Sequence, residues 1–106
     1  MKNSVLVVLT TTPNSEEAES LAEKIVEAKL AACVQVLPEI SSIYFWEGVV
    51  QKEPEHLMLI KTLPEKYAVL ERFIKENHSY DVPEIVALKA SDVSDGYLGW
   101  ITDYLT

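Results

Sequence analysis

Three consecutive aromatic residues, Tyr44, Phe45 and Trp46, lie within a stretch of strand-like composition at residues 40–51. Successive side chains of a strand point to opposite faces of a sheet, so no register places all three rings on one side. Helices packed on a single face would leave at least one ring in water. At roughly 25 cal/mol per Å², an exposed ring of about 150 Å² forgoes about 4 kcal/mol, a sizeable part of a small domain's stability.

This aromatic stretch predicts that further copies of the chain cover the strands that carry it. A long hairpin offers strand edges to a neighbouring subunit, and association would bury both of its faces. The alternative is that one ring lies flat on the protein surface, as single exposed aromatic residues often do. The mass of the protein in solution distinguishes the two.

The rest of the chain alternates between strand and helix patterns. Apolar positions recur at helical spacing in residues 18–28, 67–77 and 97–105. A capping box is predicted at Thr62-Leu63-Pro64-Glu65, and Ser94 is placed to cap the last helix. Strand composition occupies the following ranges: 4–10, 32–37, 40–51, 55–62 and 84–89.

The order β-α-β-β-α-β followed by a C-terminal helix predicts an α+β fold. A ferredoxin-like split β-α-β sandwich satisfies right-handed crossovers and places both long helices on one face of the sheet. In this arrangement the second and third strands form the long hairpin. Length and composition indicate one domain over residues 1–106.

Charge and composition exclude several classes of partner. The formal net charge of −8 repels nucleic-acid phosphates and anionic lipid, and no apolar run is long enough to span a bilayer. The single cysteine, Cys33, excludes an intramolecular disulfide, so the cytoplasm is the expected compartment. Its neighbours Ala31, Ala32 and Val34 are apolar, which is typical of a core cysteine.

The stretch HSYDVPEIVAL, residues 78–88, is a candidate site. If the chain is extended from His78, Tyr80 and Glu84 share its side while Ser79 and Asp81 point away. An imidazole and a carboxylate can coordinate a divalent cation. The alternative is structural: histidines at helix ends often bond to carbonyl groups, and acids near prolines are common in turns.

Four ordered blocks carry a resemblance to a known family: LAEKIVEAKLAACVQVLPEISSIYFWEG, LMLIKT, HSYDVPEIVAL and YLGW. Together they resemble the CutA family, the divalent-cation tolerance proteins, over nearly the whole chain. The resemblance implies a ferredoxin-like protomer in a tight trimer whose hairpins pair between subunits. It also implies a role in tolerance to copper and other divalent metals, with no settled catalytic reaction.

The resemblance carries over to particular positions. Ser79 departs from the family pattern, because it stands where a proline is usual, and we expect a looser loop around His78 for that reason. The matching positions are Cys33, Trp46, Glu47, Lys61, His78, Tyr80, Pro83, Glu84, Tyr97 and Trp100.

The residues and the resemblance together predict a cytoplasmic, non-catalytic protein, which the resemblance implies is a trimer, that binds copper(II) or another divalent cation in a cleft between subunits. The predicted metal ligands are His78, Glu84 and Cys33. The predicted cleft residues are Lys61, Tyr80 and Trp46, and the predicted trimer interface comprises Tyr44, Phe45, Trp46 and Trp100. The alternative is a signalling or interaction module similar to the PII proteins, in which an anionic metabolite binds near Lys61.

Overall fold

The computed structural model describes residues 4–106, which form five strands and three α-helices. The order of the elements agrees with the predicted order, but the range predicted at 40–51 contains one strand, a two-residue turn and the start of the next strand, which continues without a break through the range predicted at 55–62. The elements are β1 (Leu6–Thr12), α1 (Ser15–Glu27), β2 (Cys33–Val36), β3 (Ile40–Trp46), β4 (Val49–Thr62), a 3₁₀ turn (Pro64–Lys66), α2 (Tyr67–Asn77), β5 (Val86–Lys89) and α3 (Asp95–Leu105).

The sheet is antiparallel, with strand order β2-β4-β1-β5, and β3 also pairs with β4. β2 and β3 lie one after the other along β4, separated by a short break that contains Pro38. Counted as one interrupted strand, they give the strand order of the ferredoxin-like fold, with α1 and α2 as the two connecting helices. The predicted fold class is therefore confirmed.

α1 begins where the sequence places its cap. The Asn14 side chain accepts a hydrogen bond of 2.8 Å from the backbone N–H of Glu17, and Glu16 and Glu17 occupy the first turn. The cap satisfies an otherwise unpaired backbone N–H, and the two acids interact favourably with the positive end of the helix dipole, so both stabilise the N-terminus of α1.

The two long helices cover one face of the sheet, which we call the helix-covered face. Alternate positions of β1 and β4 point toward this face, including Val8 and its partner Ile60, both fully buried. Its core combines strand residues with helix residues at three- and four-residue spacing. The core includes Leu6, Val8, Met58, Ile60, Ala18, Leu21, Ile25, Leu70 and Ile74.

On the opposite face, which we call the open face, α3 covers one end. There α3 packs Ile101 and Leu105 against Val5, Ala32 and Leu63. Farther along the face, Val86 and Leu88 of β5 are exposed.

The hairpin of β3 and β4 extends beyond the helix-covered core. Glu47 and Gly48 form its two-residue turn with φ values of 51° and 80°, which fit the type I′ turn preferred by hairpins. The strand pairing places Tyr44 and Trp46 on one side and Phe45 on the other, as the alternation predicts. All three rings are exposed, Phe45 to 71% and Trp46 to 50%.

β4 is one continuous strand of 14 residues and includes Pro54. Pairing with β1 reaches only as far as His56, so the other edge of β4 is unpaired at Pro54 and the missing N–H breaks no ladder hydrogen bond.

The predicted capping box at residues 62–65 is wrong. Thr62 ends β4, and its buried hydroxyl donates a hydrogen bond of 2.7 Å to the Leu30 carbonyl instead of capping a helix. α2 begins later, at Tyr67, after the 3₁₀ turn. Ser94 occupies the N-cap position of α3, but its side chain makes no capping hydrogen bond.

Candidate functional site

His78 follows the last residue of α2, and backbone groups occupy both of its ring nitrogens. Nε2 lies 2.7 Å from the Thr11 carbonyl oxygen, and Nδ1 lies 3.0 Å from the backbone nitrogen of Tyr80. A carbonyl oxygen only accepts, so Nε2 carries the hydrogen and Nδ1 accepts from the Tyr80 N–H. The side chain is 0% exposed. His78 therefore ties the loop that follows α2 to the end of β1.

Ser79 joins the same loop to α1. Its backbone N–H and its hydroxyl donate hydrogen bonds of 3.0 and 2.8 Å to the two carboxylate oxygens of Glu17. A proline at this position would have neither donor. The loop is therefore held by a pair of hydrogen bonds, where the sequence led us to expect a looser segment.

Tyr80 connects this loop to the hairpin. Its hydroxyl donates a hydrogen bond of 2.8 Å to the Glu55 carboxylate on β4. Burial raises the pKa of Tyr80 above its usual range, and the hydrogen bond to Glu55 raises it further. Glu55 is only 8% exposed. The pair is thus a phenol held neutral against a buried carboxylate.

A cleft of about 720 Å³ lies between the hairpin and the loop at residues 80–84. Three residues predicted from sequence line it: Trp46, Tyr80 and Glu84. Asp81 also lines the cleft, so the prediction that it points away from Tyr80 is wrong. That prediction assumed extended chain from His78, whereas these residues form bends and β5 begins only at Val86.

Glu55 is a buried acidic residue of the cleft that sequence analysis did not single out. It shares a face of β4 with Leu57 and Leu59, because side chains two positions apart point the same way. The signal available in the sequence was an acidic residue, Glu55, on the same strand face as the apolar Leu57 and Leu59.

Lys61 and Cys33 lie at the other end of the open face. They are paired across β2 and β4, six positions along β4 from Glu55, or about 20 Å at roughly 3.3 Å per residue. The Lys61 ammonium bonds the Gln35 side chain at 3.0 Å and lies 5.6 Å from the centre of the Tyr97 ring. Neither Lys61 nor Cys33 lines the cleft.

Tyr97 and Trp100 of α3 accompany these two residues. The rings of Tyr97 and Trp100 stack with centres 5.7 Å apart, and Trp100 is half exposed. Burial and the adjacent Cys33 thiol raise the pKa of Tyr97. The residues predicted as one cleft therefore occupy two separate regions of a single chain.

The predicted metal ligands do not converge in one chain. Within residues 4–106, no group of three or more histidine, cysteine, aspartate or glutamate side chains is placed to hold a metal ion. Glu84 lines the cleft, His78 is engaged with backbone groups, and Cys33 is distant from both the cleft and the Thr11 carbonyl that His78 contacts. A complete site would need ligands from outside the chain.

Among the described residues, no helix has the length and apolar character needed to cross a membrane.

Comparison with known proteins gives a consistent result. A family model described as "CutA1 divalent ion tolerance protein" matches residues 6–104. A protein from Thermus thermophilus named "Divalent-cation tolerance protein CutA" is 42% identical over 97 residues, covering 92% of this chain and 94% of its own. A crystal structure of CutA1 from Oryza sativa superposes with a TM-score of 0.94 at 42% identity, covering 97% of this chain and 94% of the other.

A relative from Arabidopsis thaliana is named "Protein CutA, chloroplastic" and is 47% identical over 96 residues, or 91% of this chain. The chain spans about half of that relative's length, 53%. Because the family model covers almost every described residue and the relatives agree with it, the chain belongs to the CutA1 divalent ion tolerance protein family.

Proposed function

We propose that this chain is the subunit of a non-catalytic homotrimer that binds a divalent cation, with copper(II) as the first candidate, in a cleft completed by a neighbouring subunit. The observation that carries the proposal is the set of carboxylates lining the cleft, Glu55, Asp81 and Glu84, without any lysine or arginine among the residues that line it. The net charge of −8 adds a field that attracts cations.

The trimer supplies what one chain lacks. Fewer than three suitable side chains converge within residues 4–106, so a second subunit must contribute donors if an ion is to be held firmly. The exposed rings of Phe45 and Trp46 and the exposed Leu88 on β5 are the apolar surface that association would bury.

The proposed roles of the predicted site residues differ. Glu84 is a direct ligand through carboxylate oxygen, and His78 is a positioning residue, because both of its nitrogens hold backbone groups in place. Cys33 stays outside the site. In the cytoplasm, the compartment we propose, its thiol remains reduced.

The alternative of an anionic metabolite near Lys61 has less support. Lys61 bonds Gln35 and contacts the Tyr97 ring at the end of the sheet remote from the cleft.

Sedimentation and calorimetry test the proposal. Analytical ultracentrifugation should give about three times the chain mass of 11.9 kDa. Titration of the trimer with copper(II) should show binding that weakens about tenfold or more in Glu84→Gln, since a charged ligand is lost. Cys33→Ser is the matched control and should bind as the parent does. A monomer in solution, or equal binding by Glu84→Gln and the parent, would contradict it.

A further inference from the structure

The loop at residues 78–84, which forms one wall of the cleft, is bonded to three different elements through its first three residues. The first contacts β1, the second contacts α1 and the third contacts β4. The cleft carboxylates Asp81 and Glu84 follow directly after these residues. Because consecutive Cα atoms are about 3.8 Å apart, the position of Asp81 depends on how firmly the residues before it are held.

The contact with α1 joins both donors of Ser79 to both oxygens of one carboxylate. The backbone N–H of Ser79 donates to Oε2 of Glu17 at 3.0 Å, and the hydroxyl donates to Oε1 at 2.8 Å. Hydrogen bonds to an ionised carboxylate are roughly twice as strong as those between neutral groups. Two such bonds also fix the orientation of Ser79, because both donors must stay in line with the two oxygens.

Glu17 occupies the third position of α1, where a glutamate side chain often bonds back to the backbone N–H of the N-cap residue. Here each of its oxygens accepts from Ser79, 62 positions farther along the chain. The cap itself is made by the Asn14 side chain, which accepts from the backbone N–H of Glu17 and makes no use of the carboxylate. The Glu17 carboxylate therefore holds the loop as well as interacting with its own helix.

We infer that Glu17 is a positioning residue for the cleft, which through Ser79 fixes the loop at residues 78–84 and with it the carboxylates of Asp81 and Glu84. The inference rests on the proposed function for the identity of the cation. It goes further by assigning part of the cation affinity to a residue of α1 that is not among those lining the cleft. Removal of the Glu17 charge should free the loop without changing any ligand.

Amide hydrogen exchange of the full-length protein, measured by NMR without metal, tests whether Glu17 holds the loop. The diagnostic amide is that of Tyr80, which donates to His78 Nδ1 rather than to Glu17. Glu17→Gln replaces one carboxylate oxygen with a nitrogen that cannot accept, and it should accelerate exchange at Tyr80 about tenfold or more, since a charged hydrogen bond is lost. The amide of Ile60, in the middle of the sheet, should exchange as in the parent.

Glu16→Gln is the matched control, because Glu16 is also in the first turn of α1 and its replacement removes the same charge. It should leave exchange at Tyr80 unchanged. Equal rates at Tyr80 in Glu16→Gln and Glu17→Gln would overturn the inference, because the hydrogen bonds to Ser79 would then have no effect on the loop. Acceleration at Ile60 as large as at Tyr80 would also overturn it, because Glu17 would then act on the stability of the whole fold.

Calorimetric titration with copper(II) tests the consequence for the cleft. Glu17→Gln should weaken copper binding about tenfold or more, as the loss of an outer-shell partner commonly does. This effect should vanish in a Ser79→Pro background, because proline offers neither a hydroxyl nor an N–H to Glu17. His78 has φ −107° and ψ 146°, values that suit a residue before proline, so the background does not strain it. An equal effect of Glu17→Gln in both backgrounds would overturn the inference.

Failure of this inference is distinguishable from failure of the proposed function. If the parent binds no copper, the proposed function is refuted, and exchange at Tyr80 alone decides whether Glu17 positions the loop. If the parent binds copper and Glu17→Gln binds it equally well, the proposed function stands and this inference is overturned.

Discussion

The helix-covered face and the hairpin are built from the same strand, β4, and differ in what covers them. Near its C-terminal end, Met58 and Ile60 are fully buried under α1 and α2. Near its N-terminal end, Val49 and Val50 are exposed and face no helix. One part of the molecule therefore completes its own core, while the other presents apolar side chains that only a partner would remove from water.

Because of this difference, folding and association should depend on different side chains. Side chains under the helices should determine whether the chain folds, and side chains on the hairpin should determine whether folded chains associate. The three predictions below test this division in order of expected effect.

The largest effect is expected in the helix-covered core. Leu70→Ala removes a fully buried side chain from α2 and should lower the free energy of unfolding by about 2 to 5 kcal/mol, because a cavity replaces lost contacts. Urea denaturation followed by circular dichroism measures it. The control is its neighbour Val69, which is 44% exposed, and Val69→Ala should change stability by about 0.5 kcal/mol or less. Similar losses of unfolding free energy in Leu70→Ala and Val69→Ala would show that burial under the helices does not determine stability.

The second effect is expected in the hairpin and concerns association. Phe45→Ala should weaken assembly by about 2.5 kcal/mol per ring, roughly 70-fold, if a partner buries the exposed part of a ring of about 150 Å². Sedimentation over a dilution series should show smaller species for Phe45→Ala, with far-UV circular dichroism unchanged. Val69→Ala is again the control and should sediment as the parent does. Dissociation accompanied by loss of helix signal would mean that folding and association are not separable.

The fold was predictable because its determinants are local. Helical spacing in residues 18–28 and the alternation of Tyr44, Phe45 and Trp46 act over a few positions, so the sequence reports them directly. The capping box was misassigned because the Thr62 hydroxyl bonds Leu30, whose carbonyl reaches it only through tertiary folding.

The candidate site was predictable only in part, since its decisive contacts join distant positions. The Thr11 carbonyl that engages His78 lies 67 residues away in sequence, and Glu55 reaches Tyr80 across 25. Residue types in the loop at 78–84 indicated polar chemistry there. Which backbone groups engage the two nitrogens of His78, and which acid joins Tyr80, depends on how β1, β4 and the loop are brought together.

The smallest effect is expected where loop and hairpin meet, at the hydrogen bond between Tyr80 and Glu55. The pKa of Tyr80 is raised from 10.0 in the folded chain by burial and by Glu55, so the folded state retains the phenol proton at a pH where the unfolded state loses it. The stability contributed by this proton is complete below pH 10 and declines as pH rises above that value.

Urea denaturation at several pH values between 8 and 11 should therefore show a free energy of unfolding that falls above pH 10, and the fall should be shallower in Tyr80→Phe. Glu55→Gln, which keeps an acceptor without the charge, should give an intermediate slope. If the free energy of unfolding of the parent and of Tyr80→Phe declined in parallel above pH 10, the Tyr80 hydroxyl would not be shielded by burial and by Glu55. The hydrogen bond between Tyr80 and Glu55 would then contribute nothing to holding the loop against the hairpin.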